Sequence, residues 1–377
     1  MSCQGRCAGR CAGNPADNLM IVTAVSEVTQ QAMRGEGVAM GIRQSPRPHS
    51  AFALRLAVCL LTAAAVTGPT AIAHAGPAVS QAMAGTSART EAGDLPDAPP
   101  APICVSASRR YRRLASRMSR GIAAVLLGRV SVVGLKAADP RTGITCKLHP
   151  WWDFHSASVV KVIILGALLH ELESEHRALT PQEAALSRAM ITESSNSAAT
   201  ALWDEVGMRN LQRFLNLANM KHTQLGPDGF WGLTLVIAHD ELLLLNLLTT
   251  SNSVLHGPSR AYALNLMAHV IPSQRWGVPA GAPVNVTVHV KNGWLPDIGG
   301  WVINSIGAFT GHGRNYKIVV LTKNNPTMTY GVDTVQAVAE VINRDLNPGV
   351  TAVIPPSEPY PSWGIPDEQI PGWPDHT

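Results

Sequence analysis

Several familiar signatures are missing from this 377-residue chain, and each absence removes a class of function. There is no Gly-x-Ser-x-Gly elbow and no phosphate-cradling glycine loop, which sets aside elbow-type hydrolases and nucleotide chemistry built on such a loop. No zinc helix is present either: His170 and His176 stand six apart, a spacing that puts them on different helical faces. Neither sign of charge dominates, with 30 Lys and Arg against 26 Asp and Glu. Arg109, Arg110, Arg112, Arg113, Arg117 and Arg120 do crowd one segment. Without interleaved aromatics or a second basic element, they read as the solvated face of a helix and not as a nucleic-acid surface.

A membrane anchor is also missing. The apolar run from Leu56 to Val66 is too short for the roughly 20 residues that a spanning helix needs. Preceded by Arg43, Arg47 and Arg55 and followed by Ala73-His74-Ala75, it has the form of an export signal with cleavage expected after Ala75. Met1 to Ala39 has no place in such a signal and is expected to lie upstream of the true start. Its Cys3, Cys7 and Cys11 lack a fourth ligand, so no metal is expected there. Residues 1–75 are thus extension and signal. Residues 76–102, rich in Ala, Pro, Gly, Ser and Thr, form a flexible linker. At the other end, residues 347–377 carry prolines without helical or strand period and are expected to be extended and mostly disordered.

One domain, 103–346, remains. Helical spacing runs from Val105 to Leu127. A hairpin follows, Val130 to Lys136 and Thr145 to Leu148, around Pro140 and Gly143. Helices are predicted over 159–173, 180–190, 198–206, 208–218, 237–249 and 259–270, with Thr180 as an N-cap before Pro181. Strands return at 284–291, 300–310 and 316–322, and a helix at 332–344 closes the domain. Strands at both ends with helices between them predict an α+β fold whose sheet is built from both termini, with an all-helical lobe inserted and a cleft at the seam. Cys104 and Cys146, which flank the first helix and the second strand, are expected to pair in an oxidising compartment, the alternative being two free buried thiols.

The chemistry centres on Ser158 and Lys161. Three residues apart at the start of an apolar helix, they put a hydroxyl and an amine on one helical face. A serine needs a base to become a nucleophile, and a desolvated lysine can be one. Such a spacing also arises by chance, Ser158 then being a helix cap and Lys161 a surface residue. Two further stretches change those odds: the polar Ser194-Ser195-Asn196 between apolar helices, and Lys291-Asn292-Gly293 on a strand, followed by Trp294. In order and context the three stretches resemble the motifs of class A β-lactamases and penicillin-binding proteins over about 103–346.

The resemblance implies a β-lactamase/transpeptidase-like fold and roles for individual residues. Ser158 would be acylated, Lys161 would be its base, and Ser194 would pass a proton to the leaving nitrogen. Asn196 would bind the substrate's amide carbonyl, and Lys291 its carboxylate. Asn292, in the place of the usual Thr or Ser, would still offer an amide donor to that carboxylate. Gly293 and Trp294 would continue the substrate wall, with the backbone N–H groups of Ser158 and Trp294 as oxyanion hole. No cofactor is implied. One departure stands out, because the Glu-x-x-Leu-Asn motif that activates the hydrolytic water is absent and the corresponding loop has one carboxylate, Asp228, in the turn-like Gly226-Pro227-Asp228-Gly229.

The expectation is therefore an exported or cell-wall-associated serine hydrolase that forms a Ser158 acyl-enzyme with a small or peptide-like amide or ester, cell-wall-derived donors among them, and turns β-lactams over poorly. The alternatives are a class A β-lactamase with an unusual deacylating group, and a catalytically weak wall- or β-lactam-binding protein. The natural substrate and the oligomeric state have no signal in the sequence.

Overall fold

The computed structural model describes residues 103–357. The expectations for the extension, the export signal, the linker and the end of the tail lie outside these residues.

The described chain begins on a short strand, β1 (Cys104–Ser106), which pairs antiparallel with β3 (Ile144–Leu148) so that Cys104 faces Cys146, and the two are joined by a disulfide. The helix predicted from Val105 starts later, as α1 (Arg112–Leu126). Three residues carry too little alternation to be read as a strand, and here pairing with β3 decides their conformation. α1 buries Ala115, Met118 and Ile122 at spacings of three and four, while Arg112, Arg113, Arg117 and Arg120 stay exposed. β2 (Val132–Asp139) forms the expected hairpin with β3.

Three long strands close the sheet: β6 (Thr287–Asp297), β7 (Gly300–Gly311) and β8 (Arg314–Asn325). Its order is β1-β3-β2-β8-β7-β6, and all its pairings are antiparallel, so the first and last segments of the domain meet at its centre. β8 shows why both faces are covered. Tyr316, Ile318 and Val320 point into one hydrophobic core and Val319 and Leu321 into another, which gives a strand apolar on both sides. The first core is roofed by α1 and α7 (Met328–Leu346).

The second core belongs to the helical lobe. α2 (Val160–Ser174) is buried without interruption from Val160 to Leu169, so it is the lobe's central helix and needs apolar residues all round. α3 (Pro181–Arg188) starts with a full capping box, the Thr180 hydroxyl accepting from the Glu183 N–H and the Glu183 carboxylate from the Thr180 N–H. α4 (Asn196–Leu217) joins two predicted helices across Gly207, whose φ of +72° interrupts the helical backbone. α5 (Ala238–Thr249) and α6 (Gly257–Ala268) complete the lobe. A two-stranded ribbon, β4 (Phe154–His155) with β5 (Leu235–Val236), ties the segment before α2 to the segment before α5.

The tail departs from expectation near its start. The Ile354 N–H donates to Ala282 O at 2.7 Å, and the Ile354 carbonyl accepts from the Gly281 N–H at 2.8 Å. Residues 352–354 are therefore held by backbone bonds to 281–284, a pairing that no periodicity announces. His170 is half-buried, with Nδ1 2.9 Å from Val254 O, whereas His176 is exposed. Among the described residues no helix is long and apolar enough to cross a membrane.

Candidate active site

Ser158 lies in a single 3-10 turn, Ala157–Val159, that leads into α2. Ala157 has φ +46°, a left-handed conformation that costs a residue with a Cβ about 1 kcal/mol or more. The turn is held from several sides. The Ser156 N–H donates to Thr234 O at 2.8 Å, and Asn304 Nδ2 of β7 donates to His155 O at 2.8 Å and Ser156 O at 3.1 Å. Ser158 itself is half-buried between buried neighbours.

One turn on, Lys161 is fully buried. Its amine donates to Ser194 O at 2.6 Å, to Asn196 Oδ1 at 2.7 Å and to Ser194 Oγ at 3.2 Å. Ser194 follows a π-helical turn, Ala189–Glu193, and is itself left-handed, with φ +61° and ψ +30°. A widened turn and a left-handed serine together lift the Ser194 hydroxyl off the lobe toward the sheet. Gln274 braces this turn, its Nε2 donating to Glu193 O at 3.0 Å.

From the sheet side, Lys291 Nζ reaches the same hydroxyl, at 3.0 Å from Ser194 Oγ, and also donates to Asn292 O at 2.9 Å. Burial pushes the Lys291 amine down to about 7. Two buried amines thus converge on one hydroxyl, an arrangement in which protons can be exchanged among Lys161, Ser194 and Lys291.

β6 is the outermost strand, and its residues alternate. Lys291 and Gly293 face the α2 turn. At Gly293 a Cβ would stand 2.8 Å from both Ser156 O and Ser158 N, so only glycine lets the strand lie this close to the turn. Asn292 and Trp294 face the other way. Trp294 packs edge-on against Trp276 at 5.8 Å.

The orientation of Asn292 corrects its expected role. The side chain is fully buried, and its amide hydrogens go to Gln274 O at 2.9 Å and Trp276 O at 2.8 Å. It has no donor left for a substrate carboxylate and instead fastens β6 to the 274–276 segment.

The loop that lacks the Glu-x-x-Leu-Asn motif packs under the site. Asp228 is exposed at its tip with φ +50°, the conformation of a turn residue. Trp231, by contrast, is fully buried beneath Lys161. Sequence reasoning missed Trp231, Gln274 and Asn304. None lies in a motif, and a buried tryptophan in a loop has no spacing by which to be found.

Residues 179–346 match the model of the Beta-lactamase enzyme family, a span that includes Ser194, Asn196 and Lys291 and begins after Lys161. Among solved structures, a β-lactamase from Desulfarculus baarsii DSM 2075 superposes with a TM-score of 0.53 at 19% identity, covering 61% of this chain and 97% of that one. A β-lactamase from Sphaerobacter thermophilus DSM 20745 gives 0.54 at 20%, covering 62% and 98%. A PBP-A variant, in acyl-enzyme complex with penicillin G, gives 0.52 at 19%, covering 62% and 97%. No curated protein matches the sequence. The fold is that of the β-lactamases. The family match over residues 179–346 and this fold together support a serine hydrolase of the β-lactamase-like class.

Proposed function

We propose that the protein forms an acyl-enzyme on Ser158 with an amide or ester substrate and releases it slowly. The observation that carries this reading is the Ser194 hydroxyl, shared by the amines of Lys161 at 3.2 Å and Lys291 at 3.0 Å, with Ser158 one turn before Lys161. Ser158 Oγ attacks the carbonyl carbon as its proton passes to Lys161. The oxyanion forms against the backbone N–H groups of Ser158 and Trp294. The proton then travels through Ser194 to the leaving nitrogen or oxygen, the scissile bond breaks, and an ester on Ser158 remains. Asn196 orients the substrate's amide, and Lys291 attracts its carboxylate.

Slow release is supported by the loop beneath the site. Trp231 stands under Lys161, and Asp228 points to solvent, so this loop offers no carboxylate to activate water. Small or peptide-like acyl donors, including cell-wall-derived ones, suit such a site. The Cys104–Cys146 disulfide and the signal-like segment before Gly76 support action outside the cytoplasm.

Intact-mass spectrometry after incubation with a fluorescent penicillin, and separately with a fluorophosphonate, tests the proposal against Ser158→Ala. A stable adduct that is lost in the variant is expected. A transient adduct with released product would instead mean an efficient β-lactamase. A folded protein that gives no adduct with either probe would overturn the hydrolytic reading and leave a binding protein.

A further inference from the structure

The proposed oxyanion hole takes its two N–H groups from separate elements, Ser158 from the turn before α2 and Trp294 from the edge strand β6. Their convergence depends on how β6 lies against that turn. One contact is at Gly293, where the strand backbone meets Ser158 N and Ser156 O. Pairing with β7 holds β6 along its length, and this contact sets how close its middle lies to the turn.

A second contact lies further along. His155 Nδ1 stands 2.8 Å from Asp297 Oδ2, joining the β4 residue that leads into the turn to the last residue of β6. His155 precedes Ser158 by three residues, and Asp297 follows Trp294 by three, about 10 Å along an extended strand. The carboxylate is oriented by its other oxygen, which accepts from the Ile298 N–H at 2.7 Å. His155 is anchored through its backbone, paired with Leu235 and bonded through its carbonyl to Asn304. Beyond Asp297, which is paired with Gly300 of β7, the hairpin turns through Gly299 and Gly300 at φ +93° and +131° with Ile298 exposed, so on the turn-facing side His155 is the side chain that meets the strand end.

We infer that His155 and Asp297 are positioning residues for the acylation step, together fixing the angle of β6 against the Ser158 turn and so the convergence of the two oxyanion donors. The inference rests on the acyl-enzyme reading above. Oxyanion contacts tighten in the transition state more than in the bound ground state, so loosening them slows acylation and leaves probe binding nearly unchanged.

The test measures Ser158 adduct formation by the fluorescent penicillin over a range of concentrations, which separates the limiting acylation rate from the half-saturating concentration. His155→Phe and Asp297→Ala are expected to lower the limiting rate about tenfold, the size of effect that a displacement of well under 1 Å produces. The half-saturating concentration should stay within about twofold, and the double variant should be no slower than the worse single one. Asp297→Asn keeps a hydrogen-bonding group of the same shape and should recover to within about threefold of wild type. Thermal unfolding of each variant establishes that it is folded. A limiting rate unchanged in folded His155→Phe and Asp297→Ala would overturn the inference, as would a loss that Asp297→Asn fails to recover. Absence of any adduct in the wild type would overturn the acyl-enzyme reading itself, and the inference with it.

Discussion

The amine of Lys161 lies 4.8 Å from the centroid of the Trp231 ring, on the loop between α4 and α5. The ring is fully buried, and its Nε1–H donates to Thr200 Oγ1 at 3.1 Å. An indole in this place packs its face against the Lys161 amine while offering nothing that can take a proton from water.

Trp231→Ala should therefore be costly to the fold. Removing a buried indole typically loses about 3–5 kcal/mol. Urea unfolding should show that loss, and Trp231→Phe, which keeps most of the volume but forfeits the bond to Thr200, should lose distinctly less. Equal midpoints for wild type and Trp231→Ala would mean that the loop is not part of the cooperative structure.

Gly293→Ala tests how closely β6 must lie against the Ser158 turn. The new Cβ would meet Ser156 O and Ser158 N at 2.8 Å and Val159 N at 3.0 Å, all backbone atoms that cannot rotate away. The strand must shift, at a cost of about 1–3 kcal/mol. Adduct formation should fall roughly 100-fold, because the strand carries both Lys291 and the Trp294 N–H. Wild-type labelling in this variant would contradict the placement of the site.

Lys291 should impart a pH dependence with a definite sign. Its folded pKa is about 7 through burial, against an ordinary value of 10.5. Between those values the unfolded chain binds the proton and the folded protein does not, so stability rises with pH across the window. Wild type should gain stability relative to Lys291→Met from pH 7 to pH 10, and the difference should level off below pH 7. The same titration makes the site more cationic as pH falls through 7. Half-saturation by an anionic penicillin should accordingly occur at lower concentration at pH 6 than at pH 8.5, and Lys291→Gln should flatten that trend.

The disulfide and the candidate site occupy opposite edges of the sheet, β1–β3 at one and β6 at the other. The bond closes a loop across a separation of 42 residues, for which the chain-entropy relation gives about 4 kcal/mol. Cys104→Ala/Cys146→Ala should unfold at markedly lower urea concentration while labelling at Ser158 at the wild-type rate whenever it is folded. A large drop in labelling by the folded variant would show that strain passes across the whole sheet.

Much of this was legible in the sequence because it is written locally. The Thr180 cap, the apolar run of α2 and the hairpin around Pro140 and Gly143 each depend on neighbours within a few residues. Ser158, Lys161, Ser194 and Lys291 were found as a set of spaced motifs, and the structure brings the amines of Lys161 and Lys291 to one hydroxyl. What escaped is decided at a distance. Asn292 was given a substrate role because the motif places it beside Lys291, but strand alternation turns its amide toward the carbonyls of Gln274 and Trp276. His155 and Asp297 are 142 residues apart in sequence, and no local pattern joins them. β1 and the 352–354 segment are too short to show a period, and their partners alone give them structure.

The pairing of β2 with β8 at the centre of the sheet joins Val132 to Lys323 and Ala138 to Lys317, contacts across nearly the whole domain. Neither half of the sheet can be finished until β8 exists, and β8 ends at Asn325, within the last part of the domain. During synthesis the growing chain can form lobe helices early, but the two amines that meet at Ser194 come together only when the closing strands arrive. Long-range closure of this kind makes folding slow relative to helix formation and concentrates it in a late, all-or-none event. The candidate site is thus incomplete for as long as the chain is, and its assembly waits on the strands that close the sheet.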